Sequence, residues 1–530
     1  MKFVSLFPIA LAALTPIASN AQTRGGVDNS IAARRLSYEK IAGYEPNSKV
    51  TDHNAIDLDQ NEMMLLISDK TEDSFRAALK VFQEGGHSKS YAEVTVPGLT
   101  TSISKKTALS VSFNGTTIKG KAYADYAGGT AGGIVKFQYA TGDIQESYVD
   151  CQVGGLPIDK QNYVGCLPES GNLKVDTGTE EFPYTYSQKE NNKNGRTISK
   201  FSTSAQEKMG DCATCPYSEY NKFRIYYGVP NYADHWVTQA LLGLKTQFTG
   251  PSGTPDFGDY GLVGRGEAAK KGSAYMAVYM YVIREFEDAI DDCKKNCINC
   301  NDDPVHAWDE GVAFYTGTKE GQTGADSGKL LHALADKRCQ NYATCGAEGG
   351  SRTGISKLNY DLFGKFASGQ YHLLQGNCAA ATTIKNDIVS MMPIPLIQGT
   401  LRYSYKVDKL GGGEKEKAEG ATFAAAVLPI LYECDVDAAK IVSDNMMVGA
   451  STTSHAAVKA AFESQYVCMK ISCTDIGSLM LSEGVIYEGA EACIDAGVTA
   501  PSGSSSSSNK GLAIGLGVTA AFVGIFGLFI

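Results

Sequence analysis

Residues 302–317 read DDPVHAWDEGVAFYTG, and this segment carries the start and stop signals of a short helix. Asp303 suits the N-cap position, and Pro304 suits the first helical position, where no backbone N–H is needed. Gly317 suits the left-handed residue that ends a helix. The sequence therefore predicts one helix here, within a region from about residue 210 to 497 in which helical patterns dominate.

Metal-ligating side chains share one face of this predicted helix. His306, Asp309 and Glu310 are three and four residues apart, so they present an imidazole and two carboxylates together. Tyr315 lies about 180° around the helix from His306, so a straight helix would not let the two bind one ion. The alternative is a solvated acidic first turn, which favours the helix dipole without any metal.

A longer helix is predicted just before it, from about Glu267 to Asp292. Tyr281, Glu285 and Asp288 follow one another by four and three residues and therefore line one stripe of that helix. A phenol and two carboxylates on one stripe form a second candidate metal surface. The alternative is a solvated face on a helix whose other sides are core.

Tyrosine is unusually frequent, with 28 residues, and several lie near acids, as Tyr232 does near Asp234. Ferric iron is a hard cation that prefers phenolate, carboxylate and added oxyanions such as carbonate. An oxyanion needs an arginine or a helix N-terminus to hold it, and Arg338 and Arg402 are the candidates. Taken singly, each tyrosine is equally compatible with packing.

The helical region contains a weak internal repeat. Gly272–Val278 can be laid over Gly420–Ala426, and the same register then matches Glu285 to Glu433. This predicts a duplicated helical unit, with chance similarity between two Ala-rich helices as the alternative.

The N-terminal part has a mixed character. Helical periodicity runs from 54 to 83, alternating apolar residues run from 91 to 151, and Asn114-Gly115 is a strong two-residue turn signal. The segment 166–209 is polar and predicts a linker. The expected fold is α+β and predominantly helical, with a small antiparallel β region in the N-terminal part and a duplicated helical unit in the C-terminal part; the expected domains are 22–165 and 210–497.

Both ends of the chain indicate export. Residues 1–21 have the basic start, apolar stretch and small-residue end of a signal peptide. Residues 498–510 form a Ser-rich spacer, and 511–530 form an apolar run without a charge. Small residues, a polar spacer and an apolar tail match a GPI-attachment signal, with a tail-less membrane helix as the alternative.

The fourteen cysteines predict disulfides, because an exported chain matures in an oxidising compartment. Zinc binding by Cys293 and its neighbours in sequence is the alternative. Asn114-Gly115-Thr116 is a glycosylation sequon, which is also typical of exported proteins.

Composition and motifs exclude several function classes. A formal charge of −10 without a basic cluster argues against nucleic acid as a partner. No nucleophile elbow, zinc-protease motif, phosphate loop or dinucleotide fingerprint occurs in the sequence. We therefore expect a binding protein rather than an enzyme.

Two segments, AWDEGVAFYTG at 307–317 and LADKRC at 334–339, resemble stretches of the phytotransferrins, the low-iron-inducible iron-assimilation proteins of algae. The resemblance covers roughly residues 212–493. It implies capture of ferric iron with carbonate at the cell surface, followed by endocytosis and acid release. The matching candidate ligands are Asp309, Glu310 and Tyr315.

The leading expectation is therefore a cell-surface ferric-iron-binding protein for iron uptake. The runner-up is a disulfide-rich extracellular wall or adhesion protein without a metal site, in which the acids and tyrosines lie on the surface and bind no metal. A secreted metal-dependent hydrolase is a third possibility, which lacks a motif for its nucleophile or base.

Overall fold

A computed structural model describes residues 38–85, 87–88, 91–129, 133–139, 167–175, 178–187, 196–210, 217–295, 304–324 and 327–495. The predicted signal peptide, spacer and C-terminal anchor lie outside these ranges. Among the described helices, none is both long enough and apolar enough to cross a membrane.

Helices make up most of the described chain, which confirms the prediction of a mainly helical α+β fold. The α-helices are α1 Thr51–Asn54, α2 Ile56–Ser68, α3 Glu72–Glu84, α4 Ile198–Thr203, α5 Ser218–Tyr227, α6 Tyr232–Leu242, α7 Leu262–Gly272, α8 Tyr279–Lys294, α9 Pro304–Thr316, α10 Leu331–Tyr342, α11 Lys357–Leu374, α12 Cys378–Met391, α13 Ile394–Lys409, α14 Glu414–Cys434, α15 Val436–Met446, α16 His455–Glu463, α17 Tyr466–Met469 and α18 Cys473–Ile476.

The strands are β1 Ala92–Val96, β2 Ala108–Phe113, β3 Thr116–Ala122, β4 Gly133–Tyr139, β5 Ser170–Val175, β6 Glu181–Tyr186, β7 Met480–Ser482 and β8 Val485–Ile486. The first six close into an antiparallel barrel in the order β1-β4-β3-β2-β5-β6, because β6 also pairs with β1. The last two form a separate hairpin. Because the barrel is closed, each of its six strands pairs with a neighbour on both sides.

Local signals explain where several elements begin and end. The Thr71 and Ser74 side chains form a reciprocal capping box at the start of α3, and Gly85, with φ 61°, ends it. Helix α9 begins at Pro304 and stops before Gly317, whose φ is 86°, as predicted. The helices expected between residues 54 and 83 are confirmed as α2 and α3.

The predicted Asn-Gly turn joins β2 to β3. Asn114 and Gly115 have φ values of 45° and 79°, and Phe113 pairs with Thr116 across the two-residue loop. Positive φ at both positions is what such a turn requires. The described part of 91–151 is antiparallel sheet, as the alternating pattern indicated.

The described part of 166–209, for which the sequence predicts a polar linker, instead contains β5, β6 and α4. The two strands bury few side chains: Leu173 in β5, and Tyr184 and Tyr186 in β6. Their outward residues are polar, so the apolar alternation is too short to reveal a strand in the sequence. Pairing with β1 and β2 supplies the stability that the local pattern does not show.

The N-terminal region 22–165, predicted as one α+β domain, is divided between two apolar cores. Ile56 and Phe75 of α2 and α3 join the large helical core that also contains Trp236. The barrel strands enclose a separate cluster that includes Val111. The helices belong to the helical body because their amphipathic faces need a partner surface, and the barrel interior is already filled by its own side chains.

The long helix predicted over 267–292 is present as α7 and α8, joined without interruption by a π-helical segment, Ser273–Val278. It runs beside α14. Lys271 forms an ion pair with Glu419 at 2.8 Å, and the ring of Tyr275 stacks on that of Phe423 at 5.4 Å. Both pairs match under the register of the predicted repeat, and their order shows that the two helices run in the same direction.

Four disulfides join described cysteines, which confirms the prediction of disulfide bonding. They link Cys293 to Cys378, Cys339 to Cys345, Cys434 to Cys468, and Cys473 to Cys493. Cys293 is therefore not available as a thiolate for zinc. The remaining six cysteines lie outside the described residues.

Candidate metal centre

His53, His306 and Glu310 bring three potential ligand atoms together. The Nε2 atoms of His53 and His306 lie 2.6 Å and 3.0 Å from the same oxygen of Glu310, Oε1. One ligand atom from each residue lies within 4.8 Å of the other two. His306 and Glu310 are one turn apart on α9, whereas His53 comes from α1, so packing of α1 against α9 completes the group.

The two imidazoles share the carboxylate of Glu310. Burial disfavours its charge, but the charge of His53 and the hydrogen bond from His306 outweigh burial and hold the pKa of Glu310 well below its usual range. Burial and Arg196 oppose protonation of His53, yet Asp52 and Glu310 raise the pKa of its imidazole. A cation bound here would replace the shared protons, because metals bind neutral imidazole and ionised carboxylate.

Tyr281 and Glu285 on α8 add oxygen atoms beside this group. Burial raises the pKa of Glu285 to about 7, with the like charge of Glu310 adding to the effect and Arg284 opposing it. Burial, Glu285 and Glu310 likewise keep the pKa of Tyr281 well above its usual value. Because α8 packs against α9, Glu285 and Glu310 lie close enough for the charge of one to raise the pKa of the other.

Basic side chains surround the same region. Arg196 Nη1 lies 3.4 Å from Asp52 Oδ2, and the negative charge of Glu310 also raises the pKa of the Arg196 guanidinium. Lys208 Nζ donates a hydrogen bond of 2.6 Å to the hydroxyl of Tyr281. Acidic, phenolic and basic groups thus meet around Glu310, with Lys208 on the exposed side of the cluster.

Of the residues predicted to line one stripe of α8, Tyr281 and Glu285 are buried, so this part of the helix is not a solvated face. Arg284 forms ion pairs with Glu285 at 2.6 Å and with Asp288 at 2.9 Å, and it lies 5.6 Å from the ring centroid of Tyr281. Glu285 is only 1% exposed. Asp288 sits farther along the stripe, where it accepts a hydrogen bond from the hydroxyl of Tyr217.

Asp309 faces away from its neighbour Glu310 and is occupied by donors. Its Oδ1 accepts hydrogen bonds from Tyr44 and Gln370, and its Oδ2 accepts from the backbone N–H groups of Asn47 and Ser48. The carboxylate therefore holds the N-terminal segment 44–48 against α9. The helical spacing in the sequence groups Asp309 with His306 and Glu310. In the structure, His306 and Glu310 stay together, whereas Asp309 has different partners.

Three other predicted ligands lie in different surroundings. Tyr315 donates a hydrogen bond of 2.7 Å to Asn359, on the side of α9 opposite His306. The ring of Tyr232 stacks on Tyr227 at 4.8 Å within the helical core. Asp234 accepts a hydrogen bond from Ser199 that ties α6 to α4.

Arg338 and Arg402, the predicted anion-binding residues, lie near each other but in a separate cluster. Both influence the pKa of Tyr403, and each lies within about 6 Å of an aromatic ring. After burial, the main influences on the pKa of Arg338 come from Tyr403, Arg402, Tyr275 and Tyr342. Arg196 and Arg284 lie close to the candidate metal centre instead.

Sequence reasoning missed His53, Arg196 and Lys208. Asp52 and His53 are adjacent in the sequence, which is a weak local signal for a polar site. A single histidine far from α9 has no spacing relation to His306, so periodicity does not identify it.

A second group of potential ligands consists of Asp59, Glu62 and His87. His87 Nε2 lies 3.0 Å from Glu62 Oε2, and the backbone N–H of His87 donates to Asp59 Oδ1 at 3.0 Å. These contacts attach the loop after α3 to α2, which is a sufficient structural role for Asp59 and His87.

The first group has a donor set that metals use in proteins. Two imidazoles and a carboxylate bind iron, zinc and other transition metals, and the nearby phenol and second carboxylate add the hard oxygen donors that ferric iron prefers. No family model, curated protein or solved structure matches this chain.

Proposed function

We propose that this protein binds ferric iron at the centre formed by His53, His306 and Glu310 and carries it as cargo for uptake at the cell surface. The observation that supports the proposal is the convergence of three ligand atoms from α1 and α9 within 4.8 Å. Tyr281 and Glu285 are the next donors, because both are buried on α8 and the charge of Glu310 raises the pKa of each.

Carbonate is proposed as the co-ligand, and Arg196 as the residue that holds it. A guanidinium matches the planar oxyanion with paired N–H donors, and Arg196 lies in the same electrostatic cluster as Glu310 and Tyr281. This assignment moves the anion from Arg338 and Arg402, which have other neighbours. The added anion would also supply negative charge among Arg196, Lys208 and Arg284.

The proposed cellular route is export through the signal peptide, retention at the outer surface by the C-terminal anchor, and endocytosis. Protonation of the bound carbonate in an acidic vesicle would then release the iron. The protein would bind and deliver iron without turning over a substrate. The contacts between Lys271 and Glu419 and between Tyr275 and Phe423 support the further proposal that the two parallel helices arose by duplication.

The test is a titration of the purified full-length protein with ferric nitrilotriacetate, with and without bicarbonate. We expect saturable binding and a visible phenolate-to-iron charge-transfer band that requires bicarbonate. Glu310→Gln should lower affinity by about 100-fold, equivalent to roughly 3 kcal/mol of lost ligation. Tyr281→Phe should remove the visible band while weaker binding remains.

His372→Ala is the matched control, since His372 lies on α11 outside the centre and should leave the titration unchanged. Saturable binding of zinc but not of ferric iron would replace the iron proposal with a divalent metal site. Absence of any saturable metal binding would favour the adhesion protein.

A further inference from the structure

Two nitrogen atoms of the Arg338 guanidinium are buried without a hydrogen-bond partner among the described residues. The residue, on α10, is only 5% exposed, and its Nε and Nη1 atoms are enclosed without a hydrogen bond to any described residue. No carboxylate of the described chain accepts a hydrogen bond from either of these two nitrogen atoms. Burying a charge in this way is strongly unfavourable unless something compensates for it.

Aromatic side chains form much of the surroundings. The guanidinium lies 6.0 Å from the ring centroid of Phe423, and Tyr403, Tyr275 and Tyr342 are among its electrostatic neighbours. Burial lowers the pKa of Arg338, whereas Tyr403, Tyr275 and Tyr342 act in the opposite direction. The hydroxyl of Tyr342 is already used, because it donates to the carbonyl oxygen of Gln398.

The acids of this region are committed to other cations. Lys271 lies 2.7 Å from Glu267 and 2.8 Å from Glu419, and Lys270 also pairs with Glu267. Arg402 adds positive charge, since it lowers the pKa of Arg338 further. Basic groups therefore outnumber acidic groups around the buried guanidinium.

We propose that Arg338 binds a small oxyanion of the phosphate, sulfate or bicarbonate class, at a site separate from the candidate metal centre. Paired N–H donors of a guanidinium match two oxygens of such an anion, and the anion would neutralise the excess positive charge. The site is independent of the proposed iron function, because none of the residues around Glu310 takes part in it.

The test uses the full-length protein, free of metal, and follows its melting temperature in phosphate, sulfate, bicarbonate and chloride at constant ionic strength. We expect saturable stabilisation by at least one oxyanion and none by chloride, because a ligand that binds only the folded state raises its stability. Arg338→Met should abolish this response. In chloride, the variant should melt at the same or a higher temperature than the wild type, because the unpaired charge is gone.

Arg352→Met is the matched control. Arg352 is at the surface, where it donates a hydrogen bond to the carbonyl oxygen of Gln340, so this variant should keep the oxyanion response. His306→Ala should also retain it, which separates this site from the metal centre. If Arg338→Met does not fold, Arg338→Lys replaces it, and binding of labelled phosphate, labelled sulfate and ¹³C-bicarbonate is measured by equilibrium dialysis. The lysine variant should bind the oxyanion at least about tenfold more weakly than the wild type. A wild type without an oxyanion response, or an Arg338 variant that keeps the full response, overturns the proposal.

Discussion

Asp309 and Glu310 show how adjacent acids acquire different roles. They differ by about 100° around α9, which is enough to point one toward His53 and the other toward the segment 44–48. Glu310 shares its oxygen with two imidazoles, whereas Asp309 is satisfied by hydroxyl, amide and backbone donors. A fully satisfied carboxylate has little capacity left for a metal, so Glu310 is the better ligand.

A buried histidine away from the centre should make stability depend on pH. His455 is 3% exposed, and burial together with Lys459 lowers the pKa of its imidazole to about 4. In the unfolded chain the same group titrates near its ordinary value of about 6.5. As the pH falls from about 6.5 to 4, the unfolded state therefore binds a proton that the folded state does not, and folding becomes less favourable by roughly 3 kcal/mol.

Urea unfolding of the wild type and of His455→Gln between pH 4 and 7 tests this pH dependence. The free energy of unfolding of the wild type should fall more steeply with acidification than that of the variant, because the variant lacks the titrating group. Parallel profiles would show that burial does not keep His455 neutral.

At the scale of single elements, two glycines should respond in opposite ways to the same substitution. Gly115, in the β2–β3 turn, has φ 79°, whereas Gly364 lies inside α11, and a Cβ at either position meets nothing within 4 Å. Gly115→Ala should lower the free energy of unfolding by about 1–2 kcal/mol through backbone strain. Gly364→Ala should raise it by about 0.5–1 kcal/mol, because alanine favours the helix.

Chemical denaturation of the two glycine variants measures both changes, and each serves as the control for the other. Equal effects of the two substitutions would contradict the left-handed geometry of the Asn114-Gly115 turn.

At the scale of the whole molecule, disulfides that close loops of different length should contribute unequally to stability. The bond from Cys293 to Cys378 spans 85 residues and joins α8 to α12, whereas that from Cys339 to Cys345 spans 6. The chain-entropy model gives a loss of about 4.5 kcal/mol for removing the first and about 2 kcal/mol for the second.

Double alanine variants of each cysteine pair, compared by urea unfolding under oxidising conditions, test this difference. The variant without the disulfide that closes the short loop is the control for loss of the cysteine side chains themselves. A larger loss of stability on removal of the short-loop disulfide would show that packing around the sulfur atoms, rather than loop closure, determines how much each disulfide stabilises the protein.

Local patterns in the sequence were enough to determine the main helices, the Asn-Gly hairpin, the disulfide bonding of the described cysteines, and the i, i+4 relation of His306 and Glu310. Each depends on residues close together in the chain or, for the disulfides, on cysteine number and the inferred export compartment. Closure of the barrel by β5 and β6, the entry of α2 and α3 into the helical core, and the placement of His53 beside Glu310 were decided only by tertiary structure. Those features join segments far apart in sequence, and their free energy comes from burial and pairing between surfaces that no local periodicity records.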